Sequence, residues 1–147
     1  MKVQDVYTRD ALVAHSGESL GVAASRMDYN AIGALLVKEG SRTVGILTER
    51  DVLHAVAEDL DLDGTTVAEC MTEEVIPVSL GADVGEAAVA MVSLGARHLP
   101  VSDHGEIVGM ISARDLLAVE AWEGLAEAIE AEAMAYPGVF DVTPASR

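Results

Sequence analysis

Two short segments place a hydroxyl three residues ahead of a carboxylate with an arginine between them: Thr48-Glu49-Arg50-Asp51 and Ser112-Ala113-Arg114-Asp115. Each follows an apolar run that opens on glycine, Gly45-Ile46-Leu47 and Gly109-Met110-Ile111, so the hydroxyl stands where a strand gives way to a helix. Taken once, such a segment reads as a helix cap: the hydroxyl accepts from a free backbone N–H, and the helix dipole favours an acid in the first turn. Taken twice at equivalent places, it also reads as a paired ligand site. A hydroxyl and a carboxylate at a helix start can grip the two cis hydroxyls of a ribose, while free N–H groups and Arg50 or Arg114 face phosphate. An arginine beside that aspartate reads equally as a solvated helix-surface residue.

Other chemistry finds less support. His98 beside Arg97 is a candidate general base, but the sequence supplies no paired nucleophile. The histidines at 15, 54, 98 and 104 and the single Cys70 show no metal-ligand spacing, and Cys70 reads as a small core residue. There is no phosphate-binding Gly-x-x-x-x-Gly-Lys loop, no Gly-x-Gly-x-x-Gly and no Gly-x-Ser-x-Gly. The expectation is a binding protein rather than an enzyme, with no metal and no required cofactor.

The elements that must position these residues come from an internal repeat. An offset of 64 residues lays positions 5–53 on 69–117 without a gap, with thirteen of 49 pairs identical. Among the identical pairs are Thr8/Thr72, Met27/Met91, Gly45/Gly109, Arg50/Arg114 and Asp51/Asp115. Each copy reads as β-α-β-β-α: a short extended segment at 11–14 or 75–78, then a helix, two strands and a second helix. The first helix carries Leu20, Ala23, Ala24 and Met27, or Val84, Ala87, Ala88 and Met91, at helical spacing. Pro77 marks the second extended segment as an edge strand, and Asp83 with Glu86 predicts a capping box.

The chain therefore divides into a first repeat at 1–58, a connection at 59–68, a second repeat at 69–118, an acidic amphipathic helix at 119–136 and a tail at 137–147. Two units of about 50 residues have too little interior to be comfortable alone, which predicts packing about a pseudo-twofold axis. The helix at 119–136, with Trp122, Leu125 and Ile129, reads either as packed on its own repeat or as a dimerisation or docking helix.

Charge and composition bound the partners. The 147 residues carry 9 basic and 25 acidic side chains, a net of −16, which argues against nucleic acid and anionic membranes. Single-stranded nucleic acid is further disfavoured by 3% aromatic content. Half of the residues are hydrophobic, enough for a core of Ala, Val, Leu, Ile and Met. No run is long and apolar enough for a membrane span, and residues 1–5 lack an apolar secretory core, so the expected location is the cytoplasm.

The repeated β-α-β-β-α order, the Val-Gly-Ile/Met strand, the Thr/Ser-x-Arg-Asp helix start and Arg97-His98-Leu99-Pro100-Val101 resemble cystathionine-β-synthase (CBS) domains, here paired as a Bateman module. The openings Asp5-Val6-Tyr7-Thr8 and Glu69-Cys70-Met71-Thr72 match too, with Tyr7 in place of the usual Met. The resemblance implies an α/β fold of the α+β type and a cleft for an adenosine-containing ligand. AMP, ADP or ATP comes first; S-adenosylmethionine and NAD rank behind them. It implies that Thr48, Asp51, Ser112 and Asp115 hold ribose, and that Arg50, Arg97, His98 and Arg114 meet phosphate. The base would rest largely on backbone at Val13, Ala14 and Ala34 in one copy, and Ile76, Pro77 and Val78 in the other. Gly33-Ala34 stands where the second copy has Arg97-His98, so the two sites are expected to be unequal. The resemblance further implies a homodimer and an effector protein that reads ligand occupancy. The alternative is a nucleotide-independent interaction module with empty clefts.

Overall fold

The computed structural model describes residues 1–118. The acidic helix expected at 119–136, with Trp122, and the tail at 137–147 lie outside the described residues.

After a single 3-10 turn at Val3–Asp5 come β1 (Thr8–Arg9), β2 (Val13–His15), α1 (Leu20–Asn30), β3 (Ala34–Glu39), β4 (Arg42–Thr48) and α2 (Glu49–Ala57). The second half follows with α3 (Val67–Cys70), β5 (Val78–Ser79), α4 (Val84–Leu94), β6 (His98–Asp103) and β7 (Glu106–Ser112). A further helix, α5, is described over 113–118. The expected β-α-β-β-α order is present in both halves. Two sheets result, one ordered β2-β3-β4 and the other β1-β7-β6-β5. As Pro77 suggested, β5 is an edge strand.

The apolar spacing of the helices explains their docking. Leu20, Ala23 and Met27 of α1 are buried in one core with Leu35, Val37 and Leu47; Val84, Ala87 and Met91 of α4 are buried in the other with Leu99, Val101 and Ile111. Small alanines let each helix lie close to its sheet. Both helices end in a left-handed residue, Gly95 at φ 62° in α4 but Ala31 at φ 52° in α1. At the start of α4, Asp83 accepts from the Gly85 N–H at 3.2 Å, in place of the expected reciprocal pairing with Glu86.

The copies also exchange their leading segments. Val3 and Gln4 donate backbone hydrogen bonds to Ala82 and Leu80 of the second copy, each at 3.0 Å. Sixty-four residues on, Val67 and Ala68 donate to Glu18 and Ser16 of the first copy, each at 2.9 Å. Likewise β1 pairs antiparallel with β7 through Thr8↔Met110, and Thr72 bridges Ile46 on β4. Accordingly Val3, Val6 and Tyr7 pack in the second core, while Val67, Cys70 and Met71 pack in the first.

The repeated glycines explain themselves at these crossings. A Cβ on Gly45 would lie 2.7 Å from both the Thr72 carbonyl oxygen and the Met71 sulfur. On Gly109 it would collide with the Thr8 carbonyl oxygen and come within 2.9 Å of the Tyr7 ring. A third apolar cluster, Ala34, Leu36, Ile46 and Met110 with Ala11, Val75 and Ile107, joins the two sheets. None of the described helices is long and apolar enough to cross a membrane.

Candidate functional site

The two hydroxyl–carboxylate segments fold alike. Strands β4 and β7 end on Thr48 and Ser112, and each of these residues opens a helix. The Thr48 N–H donates to Asp51 Oδ2 at 2.8 Å, and the Asp51 N–H to Thr48 Oγ1 at 3.4 Å. The corresponding distances for Ser112 and Asp115 are 2.7 and 3.2 Å. In both, the hydroxyl donates to the same Oδ2, at 3.0 and 2.7 Å. The capping box therefore exists at both places, and it engages only one carboxylate oxygen. Among the described residues Oδ1 of Asp51 and of Asp115 makes no hydrogen bond, which leaves an acceptor fixed in place by the cap.

A cavity of about 840 Å³ opens between the two copies. The first copy contributes Leu12 beside β2, Gly33 and Ala34 at the start of β3, Met27, Asp28 and Ile32 from α1 and its exit, and Glu49 and Val52 from α2. From the second come Arg97, His98, Met110, Ser112, Arg114 and Asp115. One cavity thus combines the segments around β2 and β3 of the first copy with the helix start of the second.

Of the expected residues, this cavity brings together Ala34, Arg97, His98, Ser112, Arg114 and Asp115. It is not lined by Val13, Ala14, Thr48, Arg50, Asp51, Ile76, Pro77 or Val78. Ala14 points into the first core. Thr48, Arg50, Asp51 and Ile76 are the 64-residue mates of Ser112, Arg114, Asp115 and Leu12. Ile76 and Pro77 are exposed, and Val78 is half-buried in edge strand β5.

The cavity's charges are mixed. Four carboxylates, Asp10, Asp28, Glu49 and Asp115, line it against two guanidiniums, Arg97 and Arg114. His98 is half-buried, and burial pushes its imidazole below the ordinary pKa; the Arg97 charge lowers it further, while Glu49 and Asp115 act in the opposite sense. The Arg97 Nη2 lies 3.9 Å from Glu49 Oε1, an ion pair that spans the two copies. A Cβ on Gly33 would meet Glu49 Oε1 at 2.8 Å and His98 Cε1 at 3.1 Å, so glycine keeps this corner open. Sequence reasoning passed over Glu49, Asp10 and Asp28. The one available signal was Glu49 itself, which interrupts the match of the two helix starts by standing opposite Ala113.

Fold and cleft together define a pair of α/β repeats with a small-molecule pocket between them. The chain belongs to the CBS domain family, whose model matches twice, at residues 3–58 and 67–121. It is 35% identical over 117 residues to an uncharacterized 17.7 kDa protein of Acidianus ambivalens, covering 78% of this chain and 70% of that one. It is 33% identical over 125 residues to the uncharacterized protein MK0525 of Methanopyrus kandleri, covering 83% of this chain but 64% of the relative.

Among solved structures, the CBS-domain protein ATU1752 of Agrobacterium tumefaciens superposes with TM-score 0.78 at 28% identity, over 82% of this chain and 99% of that one. PAE2072 of Pyrobaculum aerophilum, complexed with AMP, gives TM-score 0.72 at 28% identity over 78% and 89%. The CBS pair of MJ0100, complexed with 5′-methylthioadenosine and S-adenosylmethionine, gives 0.76 at 26% over 84% and 98%.

Proposed function

We propose that this chain is a non-catalytic regulatory module that binds an adenosine-containing ligand of the AMP, ADP or ATP class in the cleft between its repeats. One observation carries the reading: a single cavity of small-molecule size unites apolar walls from the first copy with a prepositioned carboxylate and two arginines from the second. The ligands of the similar PAE2072 and MJ0100 support it.

The apolar and backbone surface at Leu12, Gly33 and Ala34 receives the base. Asp115 Oδ1 accepts from a ribose hydroxyl, with Ser112 fixing the carboxylate. Arg97, Arg114 and the neutral His98 donate to phosphate. The counterpart cleft, with Thr48, Arg50 and Asp51, is the weaker site because Gly33-Ala34 offers no side-chain donor where Arg97-His98 does. A ligand touching both copies favours whichever relative arrangement fits it, and a homodimer partner or an effector protein in the cytoplasm reads that shift.

A second reading, a nucleotide-independent interaction module, is favoured by Val89 and Val92, which lie 67% and 83% exposed on α4. Thermal unfolding with AMP, ADP, ATP, S-adenosylmethionine and NAD separates the two. At a hundredfold excess over Kd, a ligand that binds only the native state adds about 2.7 kcal/mol, a midpoint rise of several degrees. Asp115→Ala is expected to abolish that rise while lowering apo stability by only about 1 kcal/mol, the worth of a cap. Flat curves at millimolar concentration would leave the interaction module.

A further inference from the structure

Glu49 and Arg97 occupy two positions at which the repeats disagree in charge. The mate of Glu49 is Ala113 and the mate of Arg97 is Gly33. Both substituted positions face the same cavity, and their side chains meet across the copies at 3.9 Å. Stability does not explain the pairing. The side chains are 62% and 61% exposed, and an exposed pair at that distance contributes little to folding. The helix start accounts for an acid at Glu49, in the first turn of α2, but not for the guanidinium that faces it from the other copy. What the pair does alter is the field inside the cleft, where the carboxylate of Glu49 sits beside His98 and against one of the two guanidiniums that line it.

Resting on the adenosine-ligand reading above, we propose that Glu49 is a specificity-determining residue: a built-in anion that competes with ligand phosphate for Arg97. It thereby sets the cleft toward adenosine-containing ligands with few or no phosphate charges and against polyphosphates. An incoming phosphate has to displace the Glu49 carboxylate from Arg97 and then tolerate it nearby. The penalty grows with each phosphate charge, while an uncharged adenosine escapes it.

Calorimetric titration of the wild-type chain and of Glu49→Gln with adenosine, AMP, ATP and inorganic pyrophosphate tests this at fixed ionic strength. Glu49→Gln keeps the size of the side chain and removes its charge, and Glu49→Ala, the residue type the other repeat uses at this place, serves as a second variant. The expected result is an adenosine affinity within twofold of wild type, AMP tighter by about fivefold and ATP tighter by at least tenfold, with the gain shrinking in high salt. An equal gain for adenosine and ATP, or no gain for either phosphate ligand, overturns the proposal. Should no nucleoside or nucleotide bind either protein, the adenosine reading fails on its own, and pyrophosphate still decides the role of Glu49. Tighter pyrophosphate binding to the variant supports the charge filter, and equal binding overturns it.

Discussion

His98 joins the titration of the protein to its cleft. Burial is the main cause of its lowered pKa, with Arg97 and Arg114 adding to it and Glu49 and Asp115 opposing. Below pH about 6.5 the unfolded chain therefore binds a proton that the folded chain refuses, so the contribution of His98 to stability is whole above that pH. It is lost as the pH falls through the folded value. Denaturant unfolding at pH 7.5 and 5.5 should show a loss that His98→Gln reduces, and an NMR titration of the His98 ring should find its midpoint below 6.5. A midpoint at or above 6.5 would contradict the account. At this scale the sequence offered the candidate groups, the Asp and Arg at each helix start with Arg97 and His98 of the second copy, but not their grouping. Glu49 shows why: one strand and one helix start place it, yet the guanidinium it meets belongs to a residue 48 positions away.

At the scale of the element, the duplication makes each copy a control for the other. Helices α1 and α4 both close in the left-handed region, but α1 does so with Ala31, whose Cβ opposes that conformation, where α4 uses Gly95. Ala31→Gly is expected to raise stability by about 0.5 kcal/mol, since relief of the left-handed strain exceeds the added entropy of an unfolded glycine. Its converse, Gly95→Ala, should cost about 1 kcal/mol. Urea midpoints measure both, and a destabilised Ala31→Gly would show the strain to be absent. Elements were legible because apolar spacing, glycine turns and the hydroxyl caps all agreed on them. Partnership between elements was not. Val3, Val6 and Tyr7 announce a buried face, but two homologous cores present nearly the same receptor, and no local pattern says which one accepts it. The contrast at Asp83 is smaller and of the same kind, because an acid three residues on permits a capping box without compelling one.

For the whole molecule, the exchange of leading segments means that neither copy is complete without the other. Gly109 lies directly under the crossing strand β1, where even one added methyl meets backbone rather than a movable side chain. Gly109→Ala should therefore cost about 2 kcal/mol, within the usual range for overpacking. Because residues 3–9 also connect straight into β2 of the first copy, the loss should appear in one cooperative transition shared by both cores. Probes placed in each core, followed together through denaturant, check this; two separated transitions would show the copies to be energetically independent.

The exchange also has a consequence for how the chain is made. Synthesis runs from the N-terminal side, so the segment that supplies β1 emerges well before β7, the strand that receives it. During that interval a short edge with unpaired amides waits for about a hundred residues of its own chain, a non-local contact that closes late. A neighbouring nascent chain that has already reached β7 offers the same amides, the same glycine and the same core. An intertwined pair of chains would then reproduce the pairing of β1 with β7 that the single chain makes.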